Sequence, residues 1–200
     1  AGNNGTAALY PPANDPFVIT VGATDDKGTS ALTDDVIATF SAYGTTTDGF
    51  KKPDLVAPGR NIVGRMVNAN MGMAQAHPSN VLSSTYFKMS GTSVSAPIVS
   101  GAVALLLQDE PNLTPDQVKY RLIATANKSW SGYNATKAGA GTLDVYAAIK
   151  GTTTASSNTG IAVSNLLRTG SNSILMPTLN WNSENWNSVN WNSVHWNSVN

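Results

Sequence analysis

The stretch SGTSVSAP, residues 90–97, runs straight into IVSGAVALLLQ, residues 98–108, and its reading decides the fold. From Val94 to Gln108 almost every residue is apolar or small. A helix apolar on every side is a buried one, so this segment is expected to cross the core. Gly101 and the alanines let it lie against neighbouring backbone, and Pro97 falls in the first turn, where a missing N–H costs little. Ser93 therefore sits at the mouth of a buried helix, facing its free N–H groups and positive dipole end. A serine so placed is either an ordinary helix cap or a nucleophile waiting for a base and an oxyanion donor.

The surrounding chain has the periodicities of a packed α/β domain. FVITVGATD (17–25) and VIATFSAYG (36–44) are strand candidates, and PDLVAPG (53–59) is a short buried run closed by a glycine turn. TPDQVKYRLIATA begins a second helix: Thr114 caps it, Pro115 takes the first position, and Gln117 completes a T-x-x-Q capping box. A third, short helix is expected from Asp144 in DVYAAIK. After Lys150 the character changes. GTTTASSNTG reads as a polar linker, and Arg168 and Glu184 are the only fixed charges from there to Asn200.

Composition narrows the chemistry. Lys plus Arg number 12 and Asp plus Glu number 12, so the formal charge is zero and no basic surface for nucleic acid or an anionic membrane is expected. With no cysteine, disulfides, zinc–thiolate sites and cysteine nucleophiles are excluded. No apolar run is expected to reach the length of a membrane span, and charged residues at 12 % suit an exported, loop-rich protein. The opening AGNNG has neither an initiator Met nor a basic leader, and reads as the middle of a longer polypeptide.

SGTSVSAP followed by a small-residue helix resembles the serine motif of the subtilisin-like serine proteases, the subtilases. AGNNG is similar to that family's oxyanion segment, and YPPANDPFVITVGATD, IATFSAYG, KPDLVAPG, the T-x-x-Q helix and GAGTLDVYAAI follow in the family's order over about the first 150 residues. The resemblance implies an α/β, subtilisin-like three-layer fold with a mainly parallel sheet, of which this would be the C-terminal part. It implies Ser93 as the acyl-accepting nucleophile. Asn3 would supply the oxyanion hole together with the Ser93 N–H; by itself Asn3 reads as a turn residue. Ala1 and Gly2 would line the pocket for the substrate side chain before the scissile bond, with Asn4 near its rim. Gly91 and Thr92 are taken as structural support, and structural calcium is an expectation from the family alone, since no dense carboxylate loop is read here.

The resemblance implies the chain order Asp, His, Ser, with the acid and the base preceding the oxyanion asparagine, yet only Ala1 and Gly2 precede Asn3. His77, in MAQAHPSN, reads as a loop histidine, and His195 as a polar variant of a repeat position. Asp109 and Glu110 lie beyond the helix, roughly 20 Å from Ser93 at 1.5 Å per residue. The expectation is that Asp and His come from an N-terminal part of the same protease, either a separate processed chain or a missing segment. The rival is a protease fold kept as a structural subunit.

The end of the chain supports that rival. WNSEN, WNSVN, WNSVH and WNSVN follow one another, with Trp181, Trp186, Trp191 and Trp196. In an extended chain, side chains alternate faces, so a five-residue period puts successive tryptophans on opposite sides. Such a segment wants neighbours on both faces and is expected to add to a sheet edge or stack with copies of itself. A small β-solenoid, a carbohydrate-binding strip and a solvated low-complexity tail are the alternatives. The expected organisation is a catalytic portion over 1–150, a linker over 151–177 and a tail over 178–200 for docking or homo-oligomer assembly. The protein is expected to be secreted and to act on peptides.

Overall fold

The computed structural model describes residues 1–161 apart from Ala8, Asp48 and Ala69, and the backbone of two short strands beyond them. Contacts divide the chain into Ala1–Gly160 and Ile161–Asn200. In the first unit the order is β1 (Val21–Asp25), β2 (Val36–Ile37), β3 (Gly44–Thr45), β4 (Lys51–Lys52), β5 (Leu55–Pro58), β6 (Ile62–Arg65), α1 (Gly72–Ala76), a 3-10 turn (Pro78–Asn80) and β7 (Tyr86–Met89). The helices α2 (Thr92–Asp109), α3 (Pro115–Thr125), α4 (Ala135–Ala138) and α5 (Val145–Lys150) follow. The second unit contains the two-residue strands β8 (Arg168–Thr169) and β9 (Ser173–Ile174), paired antiparallel. The WNSxN repeats lie outside the described residues.

The centre is a three-stranded sheet, β2-β1-β5, with β1 and β5 parallel (Val21 opposite Leu55, Thr24 opposite Pro58) and β2 antiparallel. All five residues of β1 are buried. That fits a strand covered on both faces, which reads as a continuous apolar run instead of an alternating one. Side chains along β5 divide accordingly. Leu55 and Ala57 join Val21 against Val99 and Leu106 of α2, Val118 and Leu122 of α3 and Ala148 of α5. Val56 points the other way, against Trp130 and Ala138. Helices thus cover one face and the 130–138 segment the other. The open edge of β5 is filled by Leu143 N donating to Val56 O at 2.8 Å and Val56 N donating to Gly141 O at 2.9 Å.

Local signals hold where they are strong. Thr114 and Gln117 form the reciprocal capping box at the start of α3, and Asp144 Oδ1 accepts from Ala147 N at 2.8 Å at the start of α5. The first strand candidate contracts to Val21–Asp25. The second keeps only Val36–Ile37, because Ala38–Ser41 turns to bring Ser41 Oγ under Ala23 N at 3.0 Å. Among the described residues one strand pair is parallel and the remaining pairs are antiparallel.

Two expectations about α2 need correction. The helix is not buried all round: Val99, Ala102 and Leu106 face the sheet, while Ala96, Pro97, Ser100, Gly101, Ala104 and Leu105 are exposed. The sheet covers one side only, and nothing among the described residues covers the other. It is also long and apolar enough, by length and composition, to cross a membrane, although it packs on β1 and β5.

Two buried cation clusters tie the helical layer down. Lys52 and Lys119, 2 % and 4 % exposed, converge on Asp54 at 2.9 and 3.2 Å, and both donate to Val18 O. Burial, and then the neighbouring Lys119, pull Lys52 below the usual lysine range, against the pull of Asp54. Arg121, fully buried, holds Glu110 at 2.7 Å, the carbonyls of Ala148 and Gly151, and Thr153 O at 2.8 Å. With Asn158 Nδ2 donating to Asp116, these bonds fix residues 151–158 against α3.

Candidate active site

Three segments distant in sequence meet at the start of α2. Residues 1–3 run beside β1, with Ala1 N donating to Val21 O at 2.7 Å and Gly2 O accepting from Ala42 N at 3.0 Å. Gly59, directly after β5, accepts from Gly91 N at 2.8 Å. A Cβ on Gly59 would fall 2.2 Å from Ser95 Oγ and 2.6 Å from Ala23 Cβ, so glycine alone permits this approach. The third segment is Ser90–Ser93.

Gly91 precedes the helix with φ of +151°, a conformation that L side chains rarely adopt. A Cβ there would meet Ser93 Oγ at 3.1 Å and Asn3 Nδ2 at 3.2 Å. The hydroxyl and the amide therefore face the same small space above Gly91. Thr92 orients the amide: its N–H and Oγ1–H both donate to Asn3 Oδ1, at 2.9 and 3.1 Å. Thr92 Oγ1 in turn accepts from Gly2 N at 3.1 Å. With Oδ1 engaged in this way, Nδ2 is left as a donor without an acceptor among the described residues. Ser93 is exposed, is the second residue of α2, and has its N–H among those a helix leaves unpaired.

Beside Ser93 opens a cavity of about 530 Å³. Ala1 and Gly2 form part of its wall, with Thr20, Val21, Ser93 and Ala96 around it and Tyr10–Ala13 at its edge. Asn4 is not among its lining residues. Asn4 is exposed, and its Oδ1 accepts from Thr6 N at 3.1 Å, closing a local turn. Thus Ser93, Asn3, Ala1 and Gly2 come together, and Asn4 follows them in sequence as an exposed residue.

No histidine or carboxylate hydrogen-bonds Ser93 among the described residues. His77 ends α1 and is exposed; His195 lies outside the described residues. Asp109 closes α2 about 24 Å from Ser93 at 1.5 Å per residue. Glu110 is held by Arg121, which keeps its carboxyl below the usual range despite some opposing burial. Among the described residues no three His, Asp or Glu side chains gather in a metal-binding arrangement. Asp54 is already engaged by two ammonium groups.

A serine and an amide donor converge beside an apolar cavity, and the sequence profile of the Subtilase family matches residues 1–144. The chain belongs to the subtilase family. It is 39 % identical over 153 residues to serine protease AprX of Bacillus subtilis (strain 168), covering 76 % of this chain and 34 % of AprX. Among solved structures, fervidolysin of Fervidobacterium pennivorans, a keratinolytic enzyme related to subtilisin, is 32 % identical with a TM-score of 0.53. That match covers 71 % of this chain and 20 % of fervidolysin. The CspB protease of Clostridium perfringens is 28 % identical with a TM-score of 0.55, covering 72 % and 29 % of the two chains. This subtilase chain therefore spans about a third of AprX and less of the other two.

Some functional geometry went beyond the sequence reading. Thr92, read as support, is the residue that orients Asn3. Tyr10–Ala13 and Val18–Thr20 also line the cavity, and in the sequence the proline pair in YPPA is the signal that a fixed turn stands there.

Proposed function

We propose that this subtilase chain is the C-terminal part of a serine endopeptidase in which peptide acyl groups are transferred to Ser93. The observation that carries this reading is the shared space above Gly91, faced by both Ser93 Oγ and Asn3 Nδ2. Ser93 Oγ attacks the scissile carbonyl carbon and loses its proton to a base. The carbonyl oxygen becomes an oxyanion held by Asn3 Nδ2 and the Ser93 N–H. The C–N bond then breaks, and the amine leaves with the proton. Water repeats the sequence to release the acyl group. The cavity beside Ala1 and Gly2 takes the side chain preceding the scissile bond.

The base and its orienting acid come from an N-terminal part outside these 200 residues. Two observations support that assignment. Ser93 has neither partner among the described residues. The exposed face of α2, from Ala96 to Leu105, is apolar or small and continuous with Ser93. The larger parallel sheet expected of the fold would be completed by the same part. Export of the protein agrees with its low charge content. The direct test is peptide hydrolysis by the native protein with all its chains, compared with Ser93→Ala. Equal rates would overturn the proposal.

A second reading is favoured by the four WNSxN units over 181–200: the tail docks on a neighbouring copy and the fold serves assembly. Deleting residues 178–200 should then reduce particle size. An unchanged size removes that role.

A further inference from the structure

The chain between β5 and Ser93 has a charge pattern the proposed chemistry does not use. From Arg60 to Gln108 there is no Asp or Glu, and the fixed charges are Arg60, Arg65 and Lys88. All three lie on or at the base of the β6–β7 hairpin. Its register pairs Val63 with Lys88 and Arg65 with Tyr86. Directly opposed residues share a face and side chains alternate along a strand. Val63, Arg65, Tyr86 and Lys88 therefore project from one face. The other face carries Phe87, buried against Met66 and Ala74. The first face is open to solvent: Val63 and Tyr86 are 52 % and 50 % exposed, and Arg65 is exposed.

Arg65 and Lys88 are diagonal neighbours, about 7–8 Å apart at the backbone. Neither forms an ion pair among the described residues. Arg60, at the base, is engaged by Asp25 at 3.4 Å, and Asp25 also holds Lys27 at 3.1 Å. Asp26, the other acid near the base, accepts from Gly28 N. The face thus presents two unneutralised cations with an aromatic ring and a valine between them.

Its position relative to Ser93 gives it a use. The cavity lies by Val18–Val21, at the entry to β1, whereas the hairpin leaves at Asn61, beyond the exit ends of the parallel strands β1 and β5. Ser93 lines the cavity and lies three residues after Ser90, whose Oγ accepts from Asn61 N at the hairpin's base at 2.9 Å. An extended peptide with one side chain in the cavity carries its other end toward the hairpin. Lys88 is five residues before Ser93, at most about 17 Å along an extended backbone, which a bound peptide spans in about five residues.

Resting on the peptidase reading, we infer that Arg65 and Lys88 are specificity-determining residues that select substrates with acidic side chains roughly two to five positions after the scissile bond. The contact is exposed, so it is expected to change the ratio between substrates by a few-fold and to weaken with salt. The test uses the native protein and two fluorogenic peptides that differ only by Glu or Gln at the third and fourth positions after the cleaved bond. The expected kcat/KM ratio is about five in favour of Glu at low ionic strength, falling toward one in roughly 0.5 M salt. In the double variant Arg65→Glu, Lys88→Glu the preference should reverse, while cleavage of the Gln peptide stays within about two-fold. A ratio near one, or a ratio unaltered by the double variant while the Gln peptide is still cut, overturns this inference alone. No cleavage of either peptide overturns the peptidase reading and this inference with it.

Discussion

Replacing Gly91 by alanine perturbs the site at its narrowest point. The added Cβ would sit 3.1 Å from Ser93 Oγ and 3.2 Å from Asn3 Nδ2, in the space assigned to the developing oxyanion. The backbone at +151° also disfavours a side chain, and such strain costs about 1–3 kcal/mol. That cost leaves most domains folded. The catalytic cost should be larger. Displacing or shielding one oxyanion donor lowers kcat by roughly 10²–10³-fold, or about 2.7–4 kcal/mol of transition-state stabilisation. The expected pattern is a fall of that order in kcat with KM changed by less than about three-fold, since the substrate side-chain cavity is lined by other residues. Steady-state kinetics on a short chromogenic peptide, with urea unfolding of the same preparation, separate the two costs. A Gly91→Ala variant that keeps kcat within three-fold of the parent would refute the assignment of this space.

Two further outcomes concern the scaffold. Asp54→Asn leaves the ammonium groups of Lys52 and Lys119 facing each other in a buried site. Removing one member of a buried charge cluster costs about 3–5 kcal/mol, so urea unfolding should show a loss of that order, and a loss below about 1 kcal/mol would contradict the cluster's role. Asp35, 6 % exposed, has its carboxyl raised by burial first and then by Asp26, Asp34 and Asp25. A raised folded pKa means the charged form is disfavoured by folding. The penalty grows as pH climbs through the unfolded value near 4 and is complete above the folded value. Asp35→Asn should therefore be more stable than the parent at pH 7, with the gain shrinking as the solution is acidified; a less stable variant at pH 7 contradicts this.

What could be read in advance depended on how local each signal is. Thr114 and Gln117 act within one turn, so α3 was legible to its first residue, and Asp144 marked α5 in the same way. The Ser90–Ser93 turn was legible because glycine, threonine and serine directly precede a small-residue helix, whereas a nucleophile role for Ser93 follows only from the family resemblance. Asn3 was legible only through family resemblance, since its partner Thr92 lies 89 residues away. The open face of α2 could not be read. A helix of Ala, Gly, Ser and Leu has the same composition whether one face or two are covered. The burial of Lys52 and Lys119 is not legible in the sequence, because it depends on Val18, 34 and 101 residues away, and on the meeting of the two lysines at Asp54. The β6–β7 hairpin is not legible in the sequence because its strands are four residues each and about twenty residues separate them.

The central claim is that Ser93 is an activated nucleophile in the native protein. Intact-mass spectrometry of the unfractionated native material after treatment with a fluorophosphonate tests it most directly, with Ser93→Ala as the control. The account predicts one phosphonyl adduct on the species carrying Ser93 and none on the variant. Absence of an adduct on every species, with Ser93 intact, would contradict it and leave the subtilase fold as a scaffold for assembly.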